Sequence, residues 1–156
     1  MSTLTRHRWP GLALFALVVA LVAVVGGLAA ANAGAVYVRL DLPVWAPPQW
    51  LFGPAWTVLY ILIAISGWLV WEARGFDSSF VPYAVQLVLN ALWTPLFFGA
   101  GLYGAAFLDI SLLWVAILVN IVMFLRRRPV AGRLLAPYLL WVTYAGALNL
   151  FIWLNN

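Results

Sequence analysis

Apolar residues run through this chain in five long stretches, at residues 9–31, 53–71, 79–98, 102–125 and 131–154, parted by short polar or proline-rich breaks. Each stretch is long enough to cross about 30 Å of hydrocarbon as a helix, which takes about 20 residues. Pro10, Pro54 and Pro82 stand in first turns, where a missing N–H costs nothing. Ser78 or Ser79 is placed to cap the third helix, and Pro95 and Pro137 are placed to kink the third and fifth. Small residues four apart on the first helix, Ala23, Gly27 and Ala31, predict close approach by another helix. The pattern predicts an all-α integral membrane protein, a single domain (residues 1–156) built as a five-helix transmembrane bundle. Residues 32–52 are left over as a connecting loop. The first stretch can also be read as a secretory signal, with Arg6 and Arg8 before it and Ala31-Asn32-Ala33 as a cleavage-like site. Its uncharged run of over twenty residues is longer than a signal core, so it is read as a span.

Within that loop and the start of the second span, Pro43 to Tyr60 holds three tryptophans (Trp45, Trp50, Trp56) and four prolines (Pro43, Pro47, Pro48, Pro54). Each proline fixes its own φ and pushes the residue before it to extended geometry, so Pro43 to Gln49 is predicted to be a stiff, aromatic lid.

Composition agrees with the membrane reading: 67% of residues are hydrophobic and 8% charged, with a mean hydropathy of +1.04. The net charge of +4 does not describe a nucleic-acid partner, because the charges mark topology instead. Arg6, Arg8, Arg74, Arg126, Arg127, Arg128 and Arg133 fall on one side of a five-span chain and Arg39 alone on the other. Positive residues stay inside, which predicts a cytoplasmic N-terminus, an outer C-terminus and an outward-facing lid. There is no cysteine, and the one histidine, His7, sits in the basic N-terminus, so no metal site and no required cofactor are predicted.

Polar and aromatic residues inside the spans fall on helical stripes. Gln86, Asn90, Trp93 and Phe97 share a face of the third helix; Asp109, Leu113, Ala116 and Asn120 share one of the fourth. In the fifth helix Tyr138, Trp141, Ala145, Leu148 and Asn149 align, and in the second Trp56, Tyr60 and Ile63 do. The amides fit either interhelical hydrogen bonds or the placed polar groups of a pocket. Asp109, the only acid within a span, fits a buried carboxyl held by a neighbouring helix or a polar contact of that pocket. Trp9, Trp68, Trp71, Trp114 and Trp153 are expected at the membrane interface or facing lipid.

Three motifs, P-x-W-x-P-P-x-W-x-F-x-P-x-W-T-x-L-Y (43–60), Q-L-x-L-N-x-x-W-T-P-x-F-F (86–98) and P-Y-L-x-W-V-x-Y-A-x-x-L-N (137–149), resemble the tryptophan-rich sensory protein or translocator protein family, also called the peripheral benzodiazepine receptor family. The resemblance implies a five-helix bundle, dimeric in many members, that binds porphyrins and other flat hydrophobic ligands in a pocket closed by the loop after the first helix. It maps the ligand pocket onto Trp56, Asn90, Trp93, Phe97, Trp141, Ala145 and Leu148, with Trp45 and Pro47 from the lid; Gln86 and Asp109 join as polar candidates from the stripes. Light-dependent porphyrin breakdown is reported for some members, and the matching reactive positions are Trp56 and Trp141, acting by photo-oxidation rather than as a conventional enzyme. With porphyrin as ligand, Arg39 is expected to meet its propionates, being the only basic residue on the lid side. Animal members carry a cholesterol motif with Tyr and then Arg at the end of the fifth helix; residues 148–154 here have neither. The resemblance thus implies a homodimeric receptor or sensor of a bacterial plasma membrane, or alternatively a porphyrin transporter.

Overall fold

The structure, a computed structural model, describes residues 8–156; Arg6 and His7 lie outside the described residues. The described chain is helical throughout its ordered elements: α1 (Arg8–Ala29), α2 (Ala33–Tyr37), α3 (Phe52–Arg74), α4 (Phe80–Thr94), α5 (Tyr103–Arg127), α6 (Pro129–Leu134) and α7 (Ala136–Asn155). Together they make five membrane-crossing units, with α4 extended to Gly99 and α6–α7 acting as one. At 1.5 Å per residue the 22 residues of α1 reach about 33 Å, enough to cross hydrocarbon.

Local chemistry explains where these units depart from simple expectation. Ser79 stands at the N-cap of α4, but its hydroxyl does not cap the helix. Instead Asp77 Oδ1 accepts both the Ser79 N–H, at 2.8 Å, and the Ser79 hydroxyl, so the acid two residues earlier organises the turn. Pro95 does not end its helix. A wider turn follows in which Pro95 O accepts from the Ala100 N–H and Leu96 O from the Leu102 N–H, both at 2.9 Å. Pro137 falls in the first turn of α7, and the fifth span breaks just before it, at Leu135, into α6 and α7. Within the connecting loop, the non-proline part forms the short helix α2, while 41–48 is irregular and Gln49–Leu51 forms a single turn leading into α3.

α5 is the central post, packed on α4, α6 and α7, while α1 packs on α3 and α4. The core is continuous across the helices, from Phe15 and Tyr83 through Leu113 and Ile117 to Tyr138 and Ile152. At the arginine end the helices are tied by ion pairs: Glu72 meets both Arg8 and Arg128, and Arg127 Nε lies 2.6 Å from Asp77 Oδ2. There α1 and α3 are in close contact. Trp71 lies against Gly11, Phe15 against Gly67, and Trp68 donates to the Arg8 carbonyl at 3.1 Å. Trp68 and Trp71 are therefore partly buried helix–helix contacts, not simple lipid-facing residues. Toward the opposite end the bundle opens, and the lid loop covers it.

Candidate functional site

A cavity of about 360 Å³ occupies the lid end of the bundle. Its volume is in the range of small-molecule sites, about 300–1,000 Å³. Two aromatic walls form it: Phe52, Trp56 and Tyr60 from α3, and Trp93 and Phe98 from the end of α4 and the wide turn after it. The spacing of Phe52, Trp56 and Tyr60, four residues apart, puts all three on one helical face. Trp56 and Tyr60 stack with centroids 5.5 Å apart. The third wall is the small-residue face of α1 and the start of α2: Ala23, Gly26, Gly27, Ala30 and Ala33. That corrects the expectation of a helix contact at Ala23, Gly27 and Ala31. A Cβ added to Gly27 would meet nothing within 4 Å, because α1 faces the cavity there.

Polar groups enter at chosen points. Tyr60 donates its hydroxyl proton to Asn90 Oδ1 at 2.8 Å, Asn90 Nδ2 donates to the Tyr138 hydroxyl at 2.7 Å, and Tyr138 donates to Gln86 Oε1 at 2.9 Å. This chain joins α3, α4 and α7 behind the cavity wall. Interhelical hydrogen bonds in membranes average about 0.6 kcal/mol each, so its main effect is to fix the pose of Tyr60. Trp93 is fixed the same way, its indole N–H donating to Asn149 Oδ1 at 2.9 Å, while Asn149 Nδ2 donates to the Tyr103 carbonyl. The Thr57 hydroxyl donates to Gly53 O and the Tyr37 hydroxyl to Pro47 O, both at 2.8 Å.

The predicted residues divide by position. Trp56 and Trp93 line the cavity. Phe97, Ala145 and Leu148 line a neighbouring void of about 10 Å³ that shares Tyr37, Phe52, Trp93 and Phe98 with it. Asn90 and Gln86 stand behind Tyr60 as described. Trp141 lies edge-on behind Trp56, centroids 6.5 Å apart, and also packs on Phe52 and Tyr144. Pro47 supplies a carbonyl to Tyr37 rather than a wall. Trp45 packs outside the cavity on Tyr144 and Phe151 of α7, and its carbonyl accepts from the Tyr144 hydroxyl at 2.6 Å. Asp109 is buried on α5, among the lining residues of neither space. Arg39 is exposed just past α2 and is not part of the wall.

Sequence reading missed Tyr37, Gln49, Phe52, Thr57, Thr94 and Phe98. The motif 43–60 already specified Phe52 and Thr57 and the motif 86–98 Thr94 and Phe98, and the four-residue spacing from Trp56 back to Phe52 was a further signal available.

Five apolar helices, three of which enclose with the connecting loop an aromatic cavity of small-molecule size, define a multi-pass α-helical membrane protein. The model of the TspO/MBR family matches residues 14–154. The chain is 40% identical over 127 residues to Protein CrtK of Rhodobacter capsulatus, covering 79% of each. It is likewise 40% identical over 125 residues to the human Translocator protein, covering 77% of this chain and 74% of the relative. Similarity to the Tryptophan-rich sensory protein of Cereibacter sphaeroides is 37% over 113 residues, 72% of each. The chain belongs to the TspO/MBR family.

Proposed function

We propose that the protein is a membrane receptor or sensor that binds porphyrins and other flat hydrophobic ligands in the cavity between α1, α3 and α4, and through that binding regulates tetrapyrrole export or photo-oxidative breakdown. The observation that carries this reading is the pair of aromatic walls, with Trp56 and Tyr60 stacked on one side and Trp93 on the other. Aromatic faces favour an offset-stacked planar partner, and the hydrogen bonds on Tyr60 and Trp93 hold both walls without help from a ligand. The printed name of one relative, Tryptophan-rich sensory protein, supports a membrane sensor. The N-terminus on the cytoplasmic face of a plasma membrane and assembly as a homodimer complete the proposal.

Of the two tryptophans proposed for photochemistry, Trp56 would touch the ligand and Trp141 would act from behind it. Arg39, exposed at the lid end, would meet acidic ligand groups only outside the cavity wall. Purified protein titrated with protoporphyrin in the dark should show saturable quenching of tryptophan fluorescence, and in light a loss of bound pigment. Trp56→Phe with Trp141→Phe should slow that loss while keeping dark binding; unchanged loss would remove both residues from the chemistry. Transport is the second reading, favoured by the name Translocator protein. It would require the bundle to open at the arginine end, where Glu72 of α3 pairs with Arg8 of α1 and with Arg128 at the junction of α5 and α6.

A further inference from the structure

We infer that the cavity is loaded from the bilayer, through a slot between the lid-end halves of α1 and α3, and not from water past the lid. The inference rests on the proposed ligand site and adds the phase from which the ligand comes.

The slot follows from how α1 and α3 diverge. At the arginine end they touch: a Cβ on Gly11 would lie 2.2 Å from the Trp71 ring, and one on Gly67 would lie 2.9 Å from the Phe15 ring. At the lid end a Cβ on Gly27 or on Gly53 would meet nothing within 4 Å. The cavity shows the same asymmetry. Its exposed lining residues are Gly27 on α1, Gly53 and Thr57 on α3, and Gln49 in the turn before α3, whereas Tyr37 and Trp93 at its back are buried. The open side is therefore the gap between these two helices.

The roof is closed by bonds that cross it. The Gln49 side chain lies against Gly34 of α2, where an added Cβ would come within 2.3 Å of Nε2. Tyr37 is bonded to Pro47, and the Tyr144 hydroxyl holds the Trp45 carbonyl. Asn156 Oδ1 accepts from the Asp41 N–H at 2.9 Å, and Asn156 Nδ2 donates to the Asp41 carbonyl at 3.3 Å. The Tyr144 and Asn156 bonds fasten the lid to α7 and its C-cap, on the far side of the cavity from the slot.

Depth decides what the slot faces. Trp50 is 71% exposed beside the start of α3, the placement of a headgroup-level aromatic. Thr57, seven residues further along, lies about 10 Å deeper at helical rise. The slot therefore faces the acyl region just under the headgroups. A ligand that lies there, with a flat apolar body and a polar edge, can slide in sideways without crossing the lid.

The absence of cysteine allows a direct test in the full chain in lipid vesicles. A nitroxide attached at Thr57→Cys should collide readily with oxygen, which partitions into lipid, and poorly with a water-soluble nickel chelate. Shielding from both reagents would mean a second copy covers the slot, and preference for the nickel chelate would mean it faces water; either result overturns the inference. For the rates, Gly27→Leu narrows the slot where there is room for a side chain. It should slow both uptake and release of protoporphyrin by roughly tenfold, whereas a disturbed wall contact would speed release. Tyr144→Phe, which loosens the lid, should leave both rates unchanged. Unchanged rates in Gly27→Leu together with faster uptake in Tyr144→Phe would place the entrance at the lid. If the unaltered protein takes up no protoporphyrin, the ligand reading fails, and the nitroxide result still decides whether the slot opens to lipid.

Discussion

At the scale of single residues, Asn90 carries the most, because one amide serves two tyrosines on different helices. Asn90→Leu would leave the Tyr60 hydroxyl without its acceptor and the Tyr138 hydroxyl without its donor. Unpaired buried polar groups cost about 1–3 kcal/mol each, so reversible unfolding in detergent should show a loss of that order. Dark affinity for protoporphyrin should fall as well, since Tyr60 is no longer held. Glycines give a sharper contrast. Gly67→Val would drive a side chain into Tyr83 and Phe15, an overpacking of about 1–3 kcal/mol, whereas Gly27→Val should leave stability almost unchanged. Thermal unfolding of the two variants side by side measures the difference. Both glycines look alike in the sequence. A small-residue stripe reads the same whether it meets another helix or a cavity, so the α1 wall was not legible, while Trp93 was, because a large aromatic in line with amides marks an inward face, and Trp56 was through the 43–60 motif. Trp45 misled for a related reason: the sequence places it in the lid but cannot say on which side of the lid its ring lies.

At the scale of elements, hydrophobic run length located the five crossings to within a few residues, because hydrocarbon thickness sets it. Irregularities depended on partners far away in sequence. Pro95 was legible as a disturbance but not as a wide turn, since that geometry needs Ala100 and Leu102 as donors. The start of α4 is set by Asp77, which the Ser79 hydroxyl, the Ser79 N–H and then Arg127 together hold below its ordinary pKa of 3.8. A carboxylate whose pKa is lower folded than unfolded stabilises the fold above its unfolded value and stops doing so as pH falls through the folded one. Asp77 should therefore contribute fully at neutral pH, with the contribution fading only below pH 3.8. Asp77→Asn should lower stability at neutral pH and flatten that acid-side dependence, read from unfolding midpoints across the acid range.

At the scale of the whole molecule, the two ends are built differently. The arginine end is bound by ion pairs and close helix contacts, while the lid end holds the cavity and a single arginine, Arg39, among the described residues. The charge asymmetry was plain in the sequence, and from it follows the expectation that a tag at Asn156 is reached only from outside the cell; labelling from the cytoplasmic side alone would reverse the topology. What no sequence reading could supply was the shape of the space, because it depends on how far α1 and α3 diverge. The most direct test of the account fills that space. Gly26 faces the cavity with Tyr60 Oη and Thr94 Oγ1 at ordinary contact distance, 3.7 and 3.8 Å, from an added Cβ. Gly26→Leu should therefore fold normally yet occupy the site. In equilibrium titration with protoporphyrin in the dark, the unaltered protein should show saturable tryptophan quenching, and Gly26→Leu should bind more weakly by about tenfold or more, the effect of a few misplaced methylenes in an apolar pocket. Equal affinity in the two proteins, or no saturable binding by either, would contradict it.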